Sequence, residues 1–163
     1  MRPAPTSTAR TTTLRTTAIL GLVLSATAVA GCSRTVAVEE PQLSGAPAEV
    51  CAAIVADVPD QVMDQPRRRT EPGIASAAWG SPPITLRCGV PQPEGLARDS
   101  ECVEVNDVGW FAEPGSGGTI FTTIGRDVFV EVGVPAAYAP EAGALTFFSE
   151  PIEAHNPARQ PCV

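Results

Sequence analysis

The sequence predicts an α+β domain in two layers: an antiparallel sheet of about five or six strands, with an N-terminal and a C-terminal helix packed on one face. Apolar residues recur every three or four positions only near the two ends of the domain, and every second position between them. Four cysteines, Cys51, Cys88, Cys102 and Cys162, follow a secretory leader and read as two disulfides.

Val50, Cys51, Ile54, Val55 and Val58 make an i, i+3/i+4 stripe, which predicts a helix from Ala48 to Val58. Pro47 suits its first turn and Pro59 ends it. Pro66 to Pro72, with Arg67, Arg68, Arg69 and Glu71, is expected as a charged loop. Ile74 to Trp79 is expected as a strand and Gly80 to Pro83 as a turn. Ile84, Leu86 and Cys88 alternate with Thr85 and Arg87, the period of a half-buried strand. Cys102 to Val105 and Val108 to Phe111 flank Asn106-Asp107 as a hairpin. Gly115 to Gly118 is expected as a flexible loop. Thr119 to Ile124 and Asp127 to Val134 form a second hairpin across Gly125-Arg126, with Val128, Val130, Val132 and Val134 on one face. Leu145, Phe148, Ile152 and His155 return to helical spacing, in a helix that Pro151 is expected to kink or split.

Arg2, Arg10 and Arg15, with no acidic residue, lead into the apolar run Ala18–Ala30. Its 13 residues fall short of the roughly 20 that a spanning helix needs. Val29-Ala30-Gly31-Cys32 resembles the bacterial lipobox. Residues 1–31 are therefore read as a lipoprotein signal peptide, and Cys32 as the lipidated first residue of the mature chain. A thioether-linked diacylglycerol with an amide-linked chain would anchor it stably, since two or more acyl chains suffice. Residues 32–47, with Glu39-Glu40-Pro41 and Ser44-Gly45-Ala46-Pro47, are expected as a flexible tether reaching about 50 Å from the bilayer. Residues 48–163 form one globular domain.

Residues 32–163 hold eight arginines against 18 acidic residues, a formal charge of −10, and the chain has no lysine. That balance argues against nucleic acid as a partner, and leaves membrane affinity to the lipid rather than to the protein surface. The four cysteines allow three connectivities. Cys51–Cys88 with Cys102–Cys162 is favoured, each closing a long loop worth roughly 4 kcal/mol on the chain-entropy account. The nested alternative, Cys88–Cys102 with Cys51–Cys162, stays open. No Cys-x-x-Cys pair occurs and His155 is the single histidine, so no metal and no cofactor are expected.

A Ser-His-Asp triad would have to be built on His155, but there is no Gly-x-Ser-x-Gly elbow. His155 reads instead as a helix-end residue near C-terminal carbonyls. Carboxylates are plentiful and no pair stands out, so a carboxylate-dependent hydrolase is the one catalytic alternative. Gly115 to Gly118 lacks the Lys-Ser/Thr of a phosphate loop and reads as a hairpin tip. Arg67-Arg68-Arg69 is the domain's basic cluster. It is either a solvated loop paired with Asp64 and Glu71, or a bidentate grip on a phosphate or carboxylate. Arg67 and Arg68, with Arg87 from the polar face of its strand, Arg126 from a turn, and Trp79, make up the candidate ligand set. Trp110 is expected in the core; exposed, it or Trp79 would be an interaction anchor.

The stretch Ala78-Trp79-Gly80-Ser81-Pro82-Pro83-Ile84-Thr85-Leu86-Arg87-Cys88-Gly89-Val90-Pro91 resembles an uncharacterised family of actinobacterial lipoproteins, domain of unknown function 3515. Arg67-Arg68, Val108-Gly109-Trp110, Thr122-Thr123-Ile124-Gly125-Arg126 and Val130-Glu131-Val132 fit it too. The resemblance covers Cys51 to Ile152. It implies no activity and no catalytic residue. It does imply Cys51–Cys88 as one disulfide, because members often keep those cysteines and lack the other two; Cys102–Cys162 then remains.

The expected function is that of a lipoprotein on the extracytoplasmic face of the cell membrane. It would be non-catalytic, acting on an envelope protein partner. The alternative is a binding module for an anionic small or polymeric envelope ligand, which requires the four arginines to converge around Trp79.

Overall fold

The computed structural model describes residues 35–160 together with Met1 and Cys162. Residues 2–34, with most of the stretch expected as a signal peptide and with Cys32, lie outside the described residues. Strands β1 (Val36–Ala37), β2 (Gln61–Val62), β3 (Gln65–Arg68), β4 (Thr70–Glu71) and β5 (Ser76–Trp79) form the first half, interrupted by helix α1 (Ala46–Asp57). Strands β6 (Ile84–Val90), β7 (Val103–Val105), β8 (Val108–Gly115), β9 (Gly118–Thr123) and β10 (Phe129–Pro135) follow. The 3-10 segments Ala136–Tyr138 and Glu141–Phe147 then lead into helix α2 (Ser149–His155).

The molecule is α+β with one large antiparallel sheet, ordered β2-β3-β5-β6-β10-β9-β8-β7. β1 pairs separately and in parallel with β4. The eight strands exceed the five or six expected, because β2 and β3 carry no alternating apolar signal. The stretch expected as a charged loop is largely strand. Arg67 and Arg68 of β3 pair in register with Trp79 and Ala78 of β5. Met63 and Asp64 join β2 to β3 with φ of 49° and 62°. Asn106 and Asp107 join β7 to β8 with φ of 47° and 64°. Both pairs have the two positive φ values that a tight hairpin turn of matching twist requires.

β6 and β10 fix the core. Val130 and Val132 of β10 lie opposite Cys88 and Leu86 of β6, and all four side chains are fully buried on one face. Val128 and Val134 are also buried, so the valine alternation points where its period predicts. α1 lays Cys51, Ile54 and Val55 on this face, and the second 3-10 segment and α2 add Leu145, Phe148 and Ile152. Both helices therefore cover the same face. Trp79 and Trp110 are fully buried there, and Trp79 packs on Phe148 with ring centroids 5.2 Å apart. The expected kink at Pro151 moves: the helical stretch divides at Phe148, and Pro151 falls in the first turn of α2, where its missing N–H costs nothing.

The cysteines pair as Cys51–Cys88, tying α1 to the central strand, and Cys102–Cys162, tying the C-terminal tail to the β7 edge. Their Cα atoms are 5.4 and 5.8 Å apart, within the ordinary disulfide range.

The opposite face of the sheet is covered only in part, by residues expected to be a free tether. That expectation is corrected for residues 35–45. The Val36 N–H donates to the Arg69 carbonyl and the Val38 N–H to the Glu71 carbonyl, and Val38 is buried. The Ser76 hydroxyl donates to the Glu40 carboxylate at 2.5 Å, and Arg87 reaches the Glu39 carbonyl. Leu43 fills the space over Gly89, which has φ +80°; a Cβ there would stand 2.6 Å from Leu43. Few apolar residues mark this segment, but backbone pairing and two anchored side chains hold it as a strap. Gly45 then turns the chain into α1, which starts at Ala46 rather than at Ala48. The Gly115–Gly118 stretch is likewise no loose loop. Gly115 and Gly118 pair, leaving Ser116 and Gly117 as a two-residue tip. Gly118 is required there, since a Cβ would collide with the Val134 carbonyl at 2.1 Å.

Candidate functional site

The candidate ligand set does not converge. β3 presents Arg67 to the helical layer, where its guanidinium donates to the carbonyls of Val55 and Val58 at 2.8 and 3.3 Å. It therefore caps the C-terminal end of α1, and lies 6.0 Å from the Trp79 ring centroid. Trp79 itself is core, and its indole N–H donates to the Pro59 carbonyl at 2.8 Å. Arg68 donates to the Gly80 carbonyl at 2.9 Å. Arg87 stands on the opposite face of the sheet. It grips Glu131, its cross-strand partner on β10, through two hydrogen bonds of 2.8 Å. Arg126, in the β9–β10 connection, is buried beside α2 and donates to the Asn156 and Asp107 carbonyls and to the Glu153 carboxylate.

Arg67 and Trp79 thus come together, with Arg68 next to them on the other face of β3, while Arg87 and Arg126 lie elsewhere and are engaged by their own carboxylates. The sequence could not show this, because each arginine's partner lies far along the chain. The arginines do not assemble one anion pocket around Trp79, and this corrects the expectation that tied them to one ligand.

His155 ends α2, and its Nε2 lies 2.5 Å from the Asp57 carboxylate at the end of α1. It bridges the two helices rather than facing terminal carbonyls. The Ser149 hydroxyl of the same helix donates to the carbonyls of Val105 and Leu145, so it is not aimed at the imidazole. Among the described residues no cluster of three His, Cys, Asp or Glu side chains could hold a metal ion.

Two grooves remain. One, of about 450 Å³, lies on the open face of the sheet beside the β8–β9 tip, lined by Thr85, Glu113, Ile120, Gly133 and Pro135. Gly133 stands opposite Thr85 and Ile120 on the neighbouring strands and leaves the floor bare. Ile120 is 43 % exposed there. The sequence carried a signal for it that the period-two reading passed over. Ile120 and Phe121 are adjacent apolar residues in one strand, so one of them must face outward. The other groove, of about 600 Å³, lies on the β3 side of the Gly80–Pro83 turn, lined by Pro66, Arg67, Arg68, Arg69, Gly80 and Ser81, while Pro83 of the same turn lines the first groove.

These features describe a small disulfide-linked α+β domain with a half-covered sheet. Residues 13–161 match the family described as Protein of unknown function (DUF3515), and the chain belongs to that family. No curated protein and no solved structure matches the chain. Among the described residues no helix is long and apolar enough to cross a membrane.

Proposed function

We propose that this chain is a lipid-anchored extracytoplasmic protein that works by binding an envelope protein partner through the open face of its sheet, without catalysis. The observation that carries the reading is the groove floored by Gly133 and rimmed by Ile120. It is an exposed apolar side chain beside bare backbone on the one sheet face that no helix covers. Glu113 at its edge supplies a charged rim, the usual arrangement of a binding patch. The dispersal of the arginines speaks against the anionic-ligand alternative. The engagement of His155 by Asp57 and of Ser149 by backbone carbonyls speaks against a hydrolytic centre at that end of the molecule.

The test is a photo-crosslinking amino acid placed at Ile120 in the full chain, expressed in its own cells. A comparison position is Phe147, which is 39 % exposed on the helical layer. The reading predicts one reproducible envelope protein captured from Ile120 and not from Phe147. Capture of no envelope protein from either position, or of the same proteins from both, would count against it.

A further inference from the structure

We propose that the edge formed by Arg67, Arg68 and Arg69 lies against the phosphate headgroups of the bilayer that holds Cys32, fixing the orientation of the domain. The inference rests on the reading of Cys32 as lipidated. The strap supplies the geometry. With β1 paired to β4, only four peptide units separate Cys32 from Val36, so the anchor lies within about 14 Å of that residue, at roughly 3.3–3.6 Å per residue. A tether reaching about 50 Å does not form while β1 stays paired. β1 runs parallel to β4, so its amino-terminal end is the end nearest Arg69, whose carbonyl accepts from the Val36 N–H.

The charge distribution supplies the partner. The mature chain carries −10 overall, yet its run of three arginines sits where the anchor must arrive. Arg69 is exposed and pairs with no carboxylate among the described residues. Arg67 and Arg68 flank it along the 600 Å³ groove that Gly80 and Ser81 complete. The reach of about 14 Å is an upper limit, and it lets headgroup phosphates approach to within one Debye length of those charges, about 8 Å in physiological salt, where screening is incomplete. An anionic leaflet attracts this edge and repels the acidic remainder, so the lipid sets the distance and the arginines set the facing.

The test uses the full lipoprotein reconstituted into phosphatidylglycerol-containing vesicles with acyl-brominated lipid. Trp79 and Trp110 are fully buried, so a tryptophan introduced by Ser81→Trp reports on the groove edge, and one introduced by Glu104→Trp reports on β7, at the other end of the sheet order from β3. Quenching is expected to be at least about twofold stronger for Ser81→Trp, as befits a group at the headgroup boundary. Adding Arg69→Gln, or raising the salt, is expected to shrink that difference. Mass analysis of the Cys32 peptide runs alongside. If Cys32 is acylated and both positions are quenched equally, the orientation is refuted while the anchor stands. If Cys32 carries no acyl chain, the anchor reading fails and this inference falls with it.

Discussion

Arg126 has a side chain only 1 % exposed, and exchanges its hydration for two carbonyls and the Glu153 carboxylate. Breaking such a buried pair from one side leaves the other groups unsatisfied. Glu153 keeps 37 % of its side chain in solvent, so Arg126→Ala is expected to cost about 3 kcal/mol, the low end for buried pairs. Arg67→Ala removes the cap on Val55 and Val58 and the cover over Trp79, and is expected to cost about 1–3 kcal/mol. Arg69→Gln, at an exposed position, should fall within about 0.5 kcal/mol of the parent. Urea denaturation of the three variants checks this ranking; a loss for Arg69→Gln equal to that for Arg126→Ala contradicts it.

The exposed pair Asp127–Arg159 gives a pH signature rather than a stability one. Hydrogen bonds from the Arg159 guanidinium, with its charge, hold the Asp127 carboxyl below the usual aspartate range. A depressed carboxyl favours the fold above the ordinary aspartate value and loses that contribution as the pH falls through the lowered folded value. Carboxyl NMR should show Asp127 titrating below ordinary aspartates in the parent and moving up in Arg159→Gln.

At the scale of elements, the sequence showed what has a period. β6 and β10 were legible because each buries alternate residues, and Leu86 between Ala77 and Val132 is the centre of that pattern. Leu86→Ala should cost about 2–5 kcal/mol by chemical denaturation, the range for emptying a fully buried leucine site. β2, β3 and β4 were not legible, since apart from Val62 their content is glutamine, proline, arginine, threonine and glutamate. Arg67 serves β3 as an apolar residue would, by setting its guanidinium over Trp79 and donating to helix-end carbonyls. No hydropathy period records such a role. The strap was missed for a similar reason: β1 has two residues, and its hold depends on partners some 34 positions away, such as Thr70 and Glu71. Leu43→Ser should loosen it over Gly89. Amide exchange is then expected to quicken over residues 36–43 while the β6 and β10 amides keep their protection.

For the whole molecule, the layer order, the shared helical face and the family were legible, whereas the candidate site was not. Ligand-like residues were identifiable by type, but their convergence depended on which face each strand turned and on which carboxylate met each guanidinium. Glu131 and Glu153 each lie at least 27 residues from the arginine they hold, and no local pattern announces them. Cys51–Cys88 closes the molecule across its central strand, and Cys51→Ala with Cys88→Ala should lower stability by about 2–5 kcal/mol. Parallel thermal melts of the oxidised parent and the double variant check this, and unchanged midpoints would contradict it.

That same bond sets a stop on mechanical extension. A pull on the amino-terminal end loads β1 first, then the Glu40 and Leu43 contacts, then the first turn of α1. It can draw out only the residues ahead of Cys51, about 50 Å of chain from Val36 onward, before meeting the covalent link to β6. Beyond that point the load passes into the middle of the eight-stranded sheet. The strap is thus a short, reversible extension element in series with a body that is covalently locked against unravelling from that end.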